Sequence, residues 1–123
     1  MKTTHLAALA SIALASLTGC GPRFDHLEFV QSTSPPLPVT LERTGVIVPV
    51  GIAVACTPIA MDGAEPIEDA TVGLITTNPS IIDIAPAVDE GYVIFGVSPG
   101  HAKLSIFVDG EAVGTLPATV IEQ

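Results

Sequence analysis

Few residues of this chain have chemistry to offer: Cys20 and Cys56, three histidines, and a knot of carboxylates in the stretch MDGAEPIEDA. That stretch carries Asp62, Glu65, Glu68 and Asp69. Calcium takes about six to eight oxygen ligands, so carboxylates this close together are candidate metal ligands. Their spacing is not that of a helix–loop–helix calcium loop, and Pro66 stiffens the middle. A solvated acidic loop is the expected reading, and no metal or other cofactor is expected. A reactive thiol needs cationic neighbours and partial exposure. Cys56 instead falls in step with Val50, Ile52 and Val54, which predicts a buried, inert thiol. His26 and His101 are the histidines beyond residue 19, and no GxSxG elbow accompanies them. No catalytic residue is assigned, and the protein is expected not to be an enzyme. The sequence has no CxxC pair and no Cys/His cluster, which argues against structural zinc. Asn78-Pro79-Ser80 has proline where a glycosylation acceptor forbids it, so it reads as a turn.

Cys20 stands in a different setting. Residues 1–20 read MKTTHLAALASIALASLTGC; Lys2 gives a positive start, and Leu6 to Leu17 is apolar or small throughout. Such a run suits the core of a secretory signal, about 7–15 residues. It is too short to span a membrane, which takes about 20. Its ending, Leu17-Thr18-Gly19-Cys20, resembles the bacterial lipobox. The resemblance implies that the Cys20 thiol receives a diacylglycerol. Residues 1–19 are then removed as a signal peptide, and the new amino group of Cys20 is acylated. An ordinary secretory signal cut nearby, with Cys20 left for a disulfide, is the alternative. One acyl chain holds a membrane weakly, at ~0.8 kcal/mol per buried CH₂, whereas several on one cysteine make release very slow. Gly21 follows the cysteine, where an aspartate favours inner-membrane retention in enteric lipoproteins. The expected location is the cell envelope, lipid-anchored, with the outer membrane favoured.

The elements that follow must fit in residues 20–123, the length of one domain. Arg23, Arg43 and Lys103 are the basic residues of this part, against 13 acidic ones. That balance excludes nucleic acid as a partner, which needs a basic face, and it excludes electrostatic adhesion to anionic lipid. With Cys20 lipidated, Cys56 has no partner within the chain. Residues 20–38, CGPRFDHLEFVQSTSPPLP, contain Pro22, Pro35, Pro36 and Pro38, which forbid a continuous helix. They read as a Pro-rich, flexible tether, within which HLEFVQ is either a short edge strand or more tether.

From Val39 to Gln123 the pattern is short runs of Val, Ile and Thr broken by Gly, Pro, Asn and Asp. This predicts an all-β, two-sheet sandwich with no helix longer than a turn or two. In VIVPVGIAVAC the bulky set is Val46, Val48, Val50, Ile52, Val54 and Cys56, one face of a period-two pattern. Pro49 and Gly51 predict a bulge or a break there. In HAKLSIFVDG, Ala102, Leu104, Ile106 and Val108 face one way, and His101, Lys103, Ser105 and Phe107 the other. Asp109-Gly110 predicts a tight hairpin, with a return strand through Leu116, Ala118 and Val120. Further strands are expected at 70–77, 80–85 and 92–97, the last with both faces apolar. The expected core includes Val50, Ile52, Val54, Leu74, Ile84, Leu104, Ile106 and Val120. Tyr92 and Phe107 are expected to face outward and are the candidate binding residues.

The stretch ATVGLITTNPSIIDIAPAVDEGYVIFGVSPGHAKLSIFVDG resembles the bacterial Ig-like domains of intimin- and invasin-type adhesins. TNPSIIDI plays the corner of that family, EGYVIFGV its Gly-led strand and PGHAKLSI its last element. Leu74 stands where the family often has tryptophan, and the chain has no tryptophan. The resemblance implies a spacer or binding role with no catalytic residues. The expected function is thus a non-catalytic binding or structural module tethered to the envelope, with a protein or cell-surface partner. The alternatives are an accessory subunit of a larger envelope or secretion complex, and a small ligand- or calcium-binding lipoprotein.

Overall fold

The computed structural model describes residues 23–123 and is built from strands. In chain order they are β1 (His26–Gln31), β2 (Thr40–Glu42), β3 (Gly45–Pro49), β4 (Ala53–Asp62) and β5 (Glu65–Pro66). They continue with β6 (Val72–Thr76), β7 (Ile82–Pro86), β8 (Tyr92–Gly96), β9 (Gly100–Val108) and β10 (Glu111–Ile121). The first sheet runs β1-β4-β8-β7, with β5 hairpinned onto β4; the second runs β2-β3-β10-β9-β6. The two sheets pack face to face as a β-sandwich, as the alternation predicts. Every pairing is antiparallel except β3 with β10, which run parallel.

The break at Pro49 and Gly51 is a change of sheet. β3 ends at Pro49 in the second sheet and β4 begins at Ala53 in the first. The turn is pinned by Val50 N–H donating to the Ile121 carbonyl at 2.8 Å and Gly51 N–H to the Gly96 carbonyl at 2.7 Å. Because the chain crosses the gap between the sheets, the same parity stays inward on both sides. Val46, Val48, Ile52, Val54 and Cys56 are buried, and Val50, in the turn itself, is half-buried.

The Asp109-Gly110 hairpin forms with positive φ at both residues, 51° and 85°, the two-residue turn whose twist suits paired strands. Leu104 and Ile106 point inward from β9, and Leu116, Ala118 and Val120 from β10. Of the expected core, Ile52, Val54, Leu74, Leu104, Ile106 and Val120 are buried. Ile84 is half-buried because β7 is an edge strand with β8 on one side alone. Asn78 makes the expected corner, by accepting from Ser80 N–H at 3.2 Å and Ser80 Oγ at 2.6 Å through its side chain. This is an Asx-type turn; Asn78 does not adopt the left-handed backbone.

Of the two readings open for HLEFVQ the edge strand is the one formed, so the sandwich boundary expected at Val39 needs correcting. Residues 26–31 form a full strand, registered residue for residue from His26 opposite Met61 to Gln31 opposite Cys56. Leu27 is 2 % exposed and belongs to the core. The sandwich therefore begins well before Val39, and residues 32–39 are the crossing from the first sheet to the second. The physical reason is that β4 is ten residues long while β8 covers its first four, so its second half needs another strand.

Candidate functional site

The residues singled out for chemistry are dispersed by the fold. Asp62 and Glu65 sit opposite each other at the β4–β5 hairpin, whose Gly63 has φ 60°. Asp62 Oδ2 accepts from the Arg23 backbone N–H at 3.2 Å. Glu68 and Asp69 lie beyond the hairpin, both exposed. Among the described residues, no three His, Cys, Asp or Glu side chains converge as a metal site would require. His26 lies between two carboxylates, Nδ1 2.7 Å from Asp25 Oδ2 and Nε2 3.3 Å from Glu28 Oε2. His101 is exposed, with Nδ1 3.1 Å from Thr119 Oγ1. Cys20 lies outside the described residues.

Cys56 is buried and in no disulfide, sealed among apolar neighbours. Burial pushes its thiol up from 9.0 to about 11, because the thiolate loses its water. The unfolded chain then releases this proton first as pH rises. The native state is therefore expected to lose stability from about pH 9 towards pH 11. Urea midpoints at the two ends of that window, compared with Cys56→Ala, would read the effect. A thiol reagent should label Cys56 slowly in the native state and fast in denaturant; fast native labelling would mean the register of β4 is wrong.

Tyr92 does not face outward. It packs against the core, and its hydroxyl donates to the Val72 carbonyl at 3.2 Å, joining β8 of one sheet to β6 of the other. With both faces of β8 apolar, parity alone could not orient it. Phe107 is on the outer side of β9, half-buried, between Gly73 of β6 and Ala112 of β10. It shares that face with His101, Lys103, Ser105 and Thr119 and with exposed Ile75 of β6 and Ile47 of β3.

The outer face of the first sheet is apolar over its two central strands. Across its strands Ala53 pairs with Phe95, Ala55 with Val93, Val93 with Ala85, and Val30 with Thr57. Phe95 is 39 % exposed and Val30 54 %. Charge enters at the margins, through Glu28 on β1 and Asp83 on β7. Beside it is a groove of about 410 Å³ lined by Ser32, Ala55, Thr57, Val88, Glu90 and Val93, with Val88 fully exposed. No protein-family model and no curated protein matches the chain. A solvated sheet face ordinarily alternates apolar-in with polar-out; here the paired stretches of β4 and β8 are apolar on both sides. The signal was present in Ala53 and Ala55, which alternate with Val54 and Cys56, and in the two-faced apolar run of β8.

Proposed function

We propose that this protein is a lipid-anchored, non-catalytic binding or structural module of the cell envelope, with the outer membrane as its favoured location. The observation that carries the reading is the apolar run ending in Leu17-Thr18-Gly19-Cys20, followed at once by a folded sandwich. A bacterial Ig-like assignment is supported by where its motifs fall. The Thr77–Ser80 corner leads into β7, Gly91 with φ 84° leads β8, and Pro99–Ile106 opens β9. The contact surface in this reading is the largely apolar outer face of the first sheet around Phe95 and Val93, with Asp83 beside Phe95 at its edge and a protein as partner. Phe107 offers a smaller contact on the opposite face. The same apolar face supports a second reading, an accessory subunit that docks into a larger envelope complex. Exposed apolar patches of this kind mark interaction sites.

Mass spectrometry of the mature N-terminus is expected to find an acylated Cys20. Cys20→Ala is expected to release the protein from membranes into the soluble fraction. An unmodified N-terminus elsewhere in the chain would overturn the anchor.

A further inference from the structure

The start of the fold and the strand directions together define which end of the sandwich an anchor at Cys20 would hold. Arg23 N–H is bonded to the Asp62 carboxylate, and Asp25 N–H donates to the Met61 carbonyl at 2.7 Å. The chain is therefore tied into the first sheet by Asp25, five residues after Cys20. Five residues reach at most about 17 Å, whatever their conformation.

The end where the chain enters is built from hairpins. Phe24 and Ile67 lie against the β9–β10 hairpin, lining a groove with Val108, Asp109 and Glu111. Thr71, just before β6, is clasped at the same place. Its N–H donates to Asp109 Oδ1 at 2.9 Å, and its carbonyl accepts from Asp109 N–H at 2.8 Å. This end carries exposed Asp62, Glu65, Glu68, Asp69, Asp109 and Glu111. Arg23 is the basic residue at this end; Arg43, on the β2–β3 turn, lines a groove with Leu27 and Glu28 of β1, and Lys103 is on the outer side of β9. The opposite end is a separate set of turns. Val50 and Gly51 are bonded to Ile121 and Gly96, Val97 N–H donates to the Ile81 carbonyl, and Ser98 Oγ to the Ser80 carbonyl at 2.7 Å. The nine residues of β9 place Gly100 about 26 Å from Val108.

We propose that the sandwich stands end-on over the bilayer, its acid-rich hairpin end towards the lipid headgroups and the turns at Val50–Gly51, Asn78–Ser80 and Ser98–Gly100 presented away from it. This rests on the lipid-anchor reading. The short leash holds the hairpin end close to the surface. Carboxylates within a Debye length, about 8 Å at physiological salt, repel an anionic headgroup layer, so this end is held just off the headgroups while the leash keeps it the nearest part of the domain. Leash and β10 together limit the module to about 55 Å from the bilayer.

The test uses the full-length, membrane-extracted protein in vesicles of phosphatidylethanolamine and phosphatidylglycerol that contain a headgroup-nitroxide lipid. A fluorophore is attached at Ala64→Cys in one sample and at Ser98→Cys in another. Co-flotation with vesicles and several-fold stronger quenching at position 64 than at 98 is the expected result. Inserting about 20 Gly and Ser residues between Pro22 and Arg23, which adds about 25 Å of mean reach, should abolish most of the difference. Flotation with equal or reversed quenching overturns the end-on arrangement and leaves the anchor standing. Failure to float overturns the anchor reading and this inference with it.

Discussion

Leu104→Asp is expected to prevent folding, while Lys103→Asp, one residue away, should fold with nearly unchanged stability. Leu104 is fully buried, flanked in register by Thr76 on β6 and Leu116 on β10. No polar or charged side chain is buried among the described residues, so a carboxylate there would find no partner. Such burial costs several kcal/mol, against a total stability of about 5–15 kcal/mol for a domain of this size. Lys103 has its side chain in solvent. Its backbone N–H bonds to Thr77 Oγ1 at 3.0 Å and its carbonyl to Thr77 N–H at 2.9 Å, contacts that aspartate at that position keeps. Surface substitutions of this kind change stability by about 0.5 kcal/mol or less. Urea titrations followed by circular dichroism would show one variant with no transition and the other with a midpoint near that of the parent. Two similar variants would mean that β9 does not alternate as described.

The contrast between these neighbours was legible in the sequence because β9 is a long strand with one apolar face and one polar face. Its far boundary is marked by Asp109-Gly110, whose chemistry demands a turn. The β3–β4 segment was legible in parity but not in topology. Pro49 and Gly51 announce a break, yet only distant partners decide that Val46 joins Ala118 while Ala53 joins Phe95 in the other sheet. The His26–Gln31 edge strand was one of two readings open in the sequence, and its partner was not legible, for the same reason. Its residues favour neither strand nor tether decisively, and the pairing comes from β4, some 25 to 35 positions along the chain. Tyr92 was misoriented because β8 is apolar on both sides. That ambiguity reflects the surface itself, since the outer residues Val93 and Phe95 belong to the apolar face proposed for contact. The acidic stretch 61–70 read as a solvated loop, and its carboxylates do lie exposed around a hairpin. That they surround the point where the chain enters the fold depends on tertiary placement.

Gly91→Ala should be the most damaging of the single-methyl additions at the turns, and Gly110→Ala is its natural control. The two glycines share a backbone conformation that side chains resist, φ 84° and 85°. Adding a Cβ in that region costs about 1–2 kcal/mol from local sterics alone. At Gly110 a Cβ would meet nothing within 4 Å, so this local cost is the whole expected effect. At Gly91 the new atom would fall on the carbonyl oxygen of Cys56 and lie 2.8 Å from Thr57 Oγ1. Those atoms belong to β4, which is held on both sides, by β1 from Gln31 and by β8 from Tyr92. Retreat of β4 would break one ladder or the other and pull Cys56 and Val54 out of the core. Overpacking where neighbours cannot yield adds about 1–3 kcal/mol or more. Paired urea titrations should therefore show Gly91→Ala losing clearly more stability than Gly110→Ala. Equal losses would mean that the β8 entry does not press against β4 and that the inward placement of Tyr92 beside it must be redrawn.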